Sequence, residues 1–290
     1  MSAEGPAPLH ALVQAAAARL AAAGIAADEA RLDAEWMARH VLGCDRAALV
    51  ARAREVVPAE VVHRFNALVD RRGHREPMGY VIGEVEFWGR AFDVGAAVLV
   101  PRPETETIVE EALARLAPGG SAVRVADVGT GSGCLAVSIA CEVPRARVLA
   151  IDVSAPALAV AASNAARHGV AGRVALMRGS LLDAVRGPLD VIVSNPPYVP
   201  EGERPALPPE VRDFEPGVAL FGGPDGLDAI RAIVAQARDR LRPGGWLIFE
   251  LGVGQAPAVE ALLVARGWAG SAIRPDLQGI PRTAVARRTS

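Results

Sequence analysis

The chain contains no lysine; all 31 of its basic residues are arginine. Lysine is thereby excluded as a catalytic base, and the bias reads as a compositional habit of the source genome. Aromatic residues are also scarce, at 4% of 290 residues, beside a hydrophobic fraction of 51% that is largely alanine. This predicts close helix packing more than large aromatic clusters. The three cysteines, Cys44, Cys134 and Cys141, form neither a metal-ligand spacing nor an even disulfide framework, so the expectation is a reducing compartment and no metal. Arginine, aspartate and glutamate interrupt every alanine run before it reaches the roughly 20 apolar residues of a membrane span. The N-terminus shows no basic segment followed by an apolar stretch and a cleavage site, which predicts a cytoplasmic protein with no membrane partner. A net charge of −2 lacks the basic excess that neutralises duplex phosphates, so no stable nucleic-acid partner is expected. Arg71, Arg72, His74 and Arg75 are the densest basic group and read as a solvated helix end. The five histidines stand in no catalytic pattern.

What is present is organised in three stretches. The length suggests one small and one large domain. From Leu9 to Arg72 apolar residues fall at helical spacing, with Gly24 and Gly43 as stops and Asp28 as a start signal, predicting a helical bundle over residues 1–76. Leu32, Trp36 and His40 share one face of it at i, i+4 steps. Tyr80 to Val94 alternates β-branched and aromatic residues around Gly83 and Gly89, as a hairpin does, and residues 77–100 are expected to form a connector. Over residues 101–290 strand and helix patterns alternate, which predicts a doubly wound sheet with ligands at the carboxyl ends of its strands. The proline-rich passage from Pro200 to Pro224 is long for a plain connection and is expected to act as a flap.

Two loops carry the chemistry. Val123 to Val128 is a β-branched strand pattern, and it runs into Asp127-Val128-Gly129-Thr130-Gly131-Ser132-Gly133 before a helical stretch from Cys134 to Cys141. Strand, glycine turn and helix together bring backbone N–H groups and a positive helix end to a ligand. The G-x-G-x-G spacing departs from the G-x-G-x-x-G dinucleotide fingerprint and argues against a nicotinamide cofactor. A second strand pattern, Arg147 to Ile151, ends at Asp152, 19 residues after Gly133. That is close to the roughly 20-residue offset at which an acid meets ribose hydroxyls. Asp152 could equally cap the helix predicted from Ala155 to His168, a role open to Ser154 as well.

The other loop is Asn195-Pro196-Pro197-Tyr198, after the apolar run Leu189 to Val193. An amide or aromatic amine nitrogen is a poor nucleophile because its lone pair is delocalised, and it carries two N–H donors. Asn195 offers a side-chain oxygen and Pro196 a carbonyl in a stiffened loop, two acceptors that can turn such a nitrogen toward an electrophile. Tyr198 supplies a flat face against the planar group. The loop then works by orientation and needs no strong base during attack. Its plainer reading is a strand followed by a rigid turn.

Taken together these segments resemble the release factor glutamine methyltransferases of the HemK/PrmC family. The resemblance spans most of the chain. It includes Val100-Pro101-Arg102-Pro103-Glu104-Thr105-Glu106, the glycine turn, Asp152, Ser194 to Tyr198, Phe214-Glu215-Pro216, Leu220 to Gly226, and Glu250-Leu251-Gly252. It implies an α/β fold: a seven-stranded, doubly wound, Rossmann-like methyltransferase sheet with a small N-terminal helical domain that recognises the release factor. It implies S-adenosylmethionine as methyl donor, S-adenosylhomocysteine as product, and as acceptor the glutamine of the Gly-Gly-Gln loop of class 1 peptide-chain release factors, by a monomeric enzyme. Asp127, Gly129, Thr130, Gly131, Ser132, Gly133, Asp152 and Leu181 are the donor-binding residues so implied. Asn195, Pro196, Pro197 and Tyr198 hold the acceptor amide, and Asn195 touches the donor too. Ser180 stands where many relatives carry an acid, leaving Leu181 to pack on the adenine. NPPY also occurs in adenine-N6 DNA methyltransferases, so that activity, a ribosomal-protein glutamine acceptor, and a noncatalytic adenosine-binding module are the competing readings.

Overall fold

The computed structural model describes residues 8–116 and 122–289. The predicted bundle and the predicted domain 101–290 both extend beyond the described residues, at 1–7, 117–121 and 290. In chain order the elements begin with α1 (Leu9–Ala22), α2 (Ala27–Leu42), α3 (Arg46–Ala51), α4 (Ala59–Gly73) and α5 (Met78–Ile82), then β1 (Glu84–Phe87) and β2 (Arg90–Asp93). A 3₁₀ turn, Pro103–Thr105, leads into α6 (Glu106–Arg115), followed by β3 (Val123–Val128), α7 (Cys134–Glu142), β4 (Ala146–Asp152), α8 (Ala155–Arg167), β5 (Val174–Arg178) and β6 (Leu189–Ser194). After a second 3₁₀ turn, Glu201–Ala206, come α9 (Pro209–Phe214), α10 (Gly217–Leu220), α11 (Asp228–Arg240), β7 (Leu241–Glu250), α12 (Ala256–Ala265), β8 (Ala269–Pro275) and β9 (Pro281–Arg287). The chain divides into two compact units, Met1–Gly83 with Pro209–Phe214, and Glu84–Pro208 with Glu215–Ser290.

The first unit is helical. Leu12, Ala16 and Leu20 of α1, Ala30, Ala34 and Met37 of α2, and Phe65 and Val69 of α4 close one core. The small alanines let these helices approach closely, as the composition predicts. The face of α2 bearing Leu32 and Trp36 points outward, with those side chains 53% and 38% exposed. Tyr80 to Ile82 departs from the predicted hairpin: the stretch is the helix α5, which starts behind Pro77 and stops at Gly83 in left-handed conformation. Its apolar alternation lies on the buried side of a short helix, so the pattern alone does not distinguish the two.

The predicted basic patch is also different in kind. Arg72 is buried, 1% exposed, and its guanidinium meets three acids: Nε donates to Asp33 at 2.7 Å, Nη2 to Glu29 at 2.7 Å and Nη1 to Glu210 of α9 at 2.9 Å. Arg75 adds a second pair to Glu210 at 2.7 Å, and Arg71 binds Glu76 and the carbonyls of Tyr80 and Val81. A buried guanidinium demands such partners, because desolvation of an unpaired charge costs several kcal/mol, on the order of the whole fold's stability.

The second unit carries a seven-stranded sheet in the order β5-β4-β3-β6-β7-β9-β8. The first five are parallel, and β9 and β8 are antiparallel. Alternate side chains of each strand feed two cores. Val125, Val191 and Val193 pack with Ile108, Leu135 and Ile139 on one side. Ala126, Val128, Ile192 and Leu247 pack with Ile230, Val234 and Val259 on the other. Burial on both faces accounts for the nearly continuous apolar runs of the parallel strands. Gly244 and Gly245 lie in a bulge inside β7, where the register with β6 slips between Leu189 and Val191. Because β4 lies on one flank of β3 and β6 on the other, the order in which the chain adds strands reverses between β3 and β6. A crevice opens at such a switch point, beyond the carboxyl ends of the strands.

Candidate active site

Val128 of β3 pairs with Ser194 of β6, and the Ser194 hydroxyl donates to the Val128 carbonyl at 2.7 Å. The loops that leave these two residues therefore start side by side. One cavity is lined by Gly129, Thr130, Gly131 and Ser132 from the first loop and by Asn195 and Pro197 from the second. Asp152 at the end of β4 with Val153 and Ser154 after it, Gly179 and Leu181 after β5, and Val98, Leu99, Pro101 and Thr105 complete much of the wall.

Each predicted residue has a distinct place. Asp152 sits at the cavity edge, its Oδ2 accepting from the Gly131 N–H at 2.9 Å and its Oδ1 from the Ser154 N–H at 2.9 Å. The cap of α8 is made instead by Ser154, whose Oγ accepts from the Ala157 N–H at 3.2 Å, so Asp152 retains lone pairs that face the cavity. A Cβ built on Gly131 would meet nothing within 4 Å, because that part of the loop edges open space. Gly133 lies behind, against Ala161 of α8. Leu181 lines the cavity with φ at 46°, a left-handed backbone that costs a leucine about 1–2 kcal/mol.

Asp127 stands apart from the wall. It is fully buried beneath the loop, where its Oδ2 accepts from the Thr130 hydroxyl at 2.6 Å and from the Ala136 N–H at 3.1 Å. It thus ties the glycine turn to the first turn of α7, and burial pushes its carboxyl up to about 7.

In the second loop Pro196 is buried, while Asn195, Pro197 and Tyr198 are half-buried. Tyr198 turns its hydroxyl to Glu250, donating to Oε1 at 3.0 Å, and burial, with the neighbouring Glu250, pushes its phenol well above the ordinary range. The Tyr198 carbonyl accepts from Gln255 Nε2 at 2.9 Å. A Cβ built on Gly226 would stand 2.1 Å from that same carbonyl oxygen, at a φ of 75°. Gly226 is thus required by both space and conformation.

The residues that pattern reading left without atoms are Thr105, Arg102, Glu215 and Glu250. Thr105, 1% exposed, donates its hydroxyl to Glu250 Oε2 at 2.6 Å and accepts from Asn195 Nδ2 at 3.1 Å. Glu250, also 1% exposed, closes β7. Burial raises its carboxyl above the usual range, and the Thr105 and Tyr198 hydroxyls oppose that rise. Arg102 Nη2 donates to both oxygens of the buried Glu215 at 2.7 Å, and Pro216 next to it lines the cavity. An acid ending the apolar stretch Trp246 to Phe249 is the one signal that could have marked Glu250, since buried acids need partners. The predicted flap is ordered: two of its short helices are α9 and α10, and Val218 and Ala219 of α10 reach the cavity. Among the described residues no cluster of three or more His, Cys, Asp or Glu side chains is placed to hold a metal ion, and no helix is long and apolar enough to cross a membrane.

Comparison with known proteins matches residues 11–83 to the PrmC N-terminal domain and residues 90–206 to the methyltransferase small domain. A release factor glutamine methyltransferase of Cereibacter sphaeroides is 46% identical over 275 residues, 95% of this chain and 96% of its own length. Its counterpart in Geobacter sulfurreducens is 45% identical over 261 residues, 90% of each chain. Among solved structures, a methyltransferase from Pyrococcus furiosus aligns with a TM-score of 0.53 over 70% of this chain and 91% of its own, at 20% identity, a likeness of fold.

Proposed function

The chain belongs to the release factor glutamine methyltransferase family, and from that premise we propose that it moves a methyl group from S-adenosylmethionine to the side-chain amide nitrogen of the Gly-Gly-Gln glutamine in class 1 peptide-chain release factors. The product is N5-methylglutamine. The observation that carries the reading is the meeting of the glycine turn, Asp152 and Asn195 around one cavity at the sheet's switch point.

The cavity suits the donor chemically. Asp152 offers acceptor lone pairs to a ribose diol while its other ones are held by backbone N–H groups. Leu181, Val153 and Leu135 supply an apolar wall for a purine. Gly131 leaves room for a ligand to lie against the backbone. When bound, S-adenosylmethionine supplies an electrophilic methyl group on a sulfonium. The chain's own residues orient the acceptor: the Asn195 Oδ1 and the Pro196 carbonyl accept the two amide hydrogens, turning the nitrogen toward the cavity. Tyr198, whose hydroxyl donates to Glu250 and whose backbone carbonyl accepts from Gln255, walls the acceptor side with its ring. The helical unit, α1 to α5 with α9, provides the docking surface for the release factor, and the protein acts in the cytoplasm as a monomer.

The test is mass spectrometry of a purified class 1 release factor after incubation with this protein and S-adenosylmethionine, beside a Gly-Gly-Ala variant. One added methyl on the glutamine, missing from the variant, is the expected result. Donor binding with no methyl on either protein would overturn the assignment of acceptor.

A further inference from the structure

An asparagine that orients an amide must present its oxygen, because an acceptor amide brings two hydrogens. A carboxamide turned by half a revolution has nearly the same shape and presents donors to donors instead. Something therefore has to decide which end of Asn195 faces the acceptor.

The hydrogen bonds around Thr105 decide it. Two hydroxyls aimed at the two oxygens of Glu250 suit its ionised form, which only accepts, so at 2.6 Å from Oε2 the single Thr105 hydrogen is committed to Glu250. The Thr105 oxygen is left with lone pairs alone. The Asn195 atom 3.1 Å from it must then be a donor, which makes it Nδ2 and sends Oδ1 the other way. Tyr198 occupies the second carboxylate oxygen at 3.0 Å, so Glu250 is held from both sides with no water-exposed rotation to relax into. The three groups come from the 3₁₀ turn before α6, from the loop after β6 and from the end of β7, elements fixed by the same sheet.

We infer that Glu250 and Thr105 form a polarity relay whose task is to lock Asn195 with its amide oxygen toward the acceptor glutamine. Both are positioning residues that act through Asn195. The inference rests on the reading of Asn195 given above and adds the groups that make it work.

The experiment uses the full chain with a class 1 release factor as acceptor and compares Thr105→Val, Thr105→Ser, Asn195→Ala and the double variant Thr105→Val/Asn195→Ala. Valine keeps the shape and removes the hydroxyl, and serine restores it. The expected result for Thr105→Val is a kcat lower by roughly tenfold to a hundredfold, the scale on which misplacement of a reacting group is felt. Its KM for the release factor, set by the docking surface, stays within about threefold. Donor affinity by calorimetry reports that the fold is intact. Thr105→Ser recovers most of the rate, and the double variant is no slower than Asn195→Ala, because a residue acting through Asn195 has nothing to act on once it is gone. The relay is overturned if Thr105→Val keeps full kcat, if the serine variant is as slow as the valine one, or if the two factors multiply in the double variant. Full turnover by Asn195→Ala would instead remove the orienting role of Asn195 itself, and the relay with it.

Discussion

Each unit of the molecule buries a charge, and the two are satisfied in opposite ways. In the helical unit Arg72 is surrounded by Asp33, Glu29 and Glu210, so charge answers charge and the cluster closes on itself. In the sheet unit Glu250 is answered by two hydroxyls, from Thr105 and Tyr198. A hydroxyl that donates still has lone pairs, so the second arrangement does not end at its own members. It continues to Asn195. A salt-bridge cluster of the first kind specifies which helices pack together, whereas a chain of hydroxyls transmits direction to a neighbour.

Damage to the first cluster is therefore expected to show as stability and damage to the second as rate. The largest effect is expected for Arg72→Ala, which leaves Asp33 buried without its cation. A loss of about 3–5 kcal/mol from the helical unit, read by urea denaturation or limited proteolysis, is predicted, with donor affinity unchanged; a loss below about 1 kcal/mol would show that the cluster is no more than a surface pair. Asn195→Ala comes next, lowering turnover by roughly a hundredfold to a thousandfold, on the scale of removing one oriented partner from a reacting centre, while calorimetry shows the donor still bound. Equal loss of both would make the loop a donor-site element only. Asp152→Ala sharpens the contrast within the sheet unit, since removing an acceptor of charged hydrogen bonds is worth about 1.5–3 kcal/mol. Donor affinity falls by roughly tenfold or more, and an unchanged dissociation constant would reject the ribose role.

The smallest effect is a slope. Asp127 titrates near 7 in the fold and near 3.9 in an unfolded chain, so between those values the native state binds the proton that the unfolded state has lost. Its contribution favours the fold below about pH 4 and is lost as pH rises toward 7, at no more than about 1.4 kcal/mol per pH unit. Glu215 and Glu250 are raised by burial in the same sense. Asp127→Asn is thus expected to flatten the fall in stability across that window without removing it, as followed by denaturation at a series of pH values; an identical slope would mean Asp127 is not protonated in the fold.

The architecture was legible wherever it rested on period and punctuation. Val123 to Val128 is β3, and the predicted helix and strand after it differ from α7 and β4 by a residue at most ends, because an apolar run between a glycine turn and a polar stop leaves few alternatives. Asp152, Gly131, Leu181 and Asn195 all reach one cavity. What could not be read is pairing at a distance. Thr105 and Glu250 stand 145 residues apart, and Arg72 stands 138 from Glu210, and no local pattern encodes either contact. Tyr80 to Ile82 failed for another reason: three apolar residues satisfy strand and helix alike, and Pro77 with Gly83 decided for the helix.

The contact between Gly226 and the Tyr198 carbonyl bears on how such a chain can change over generations. Most exposed positions accept substitution within about 0.5 kcal/mol, so the surface is free to drift. At Gly226 the smallest replacement, one methyl, would have to displace the backbone of the loop from Asn195 to Tyr198. The two segments are therefore heritable only as a pair: a lineage that lost this glycine would have to reshape Asn195 to Tyr198 in the same step, and a saturation library of the chain should show that codon among the least forgiving.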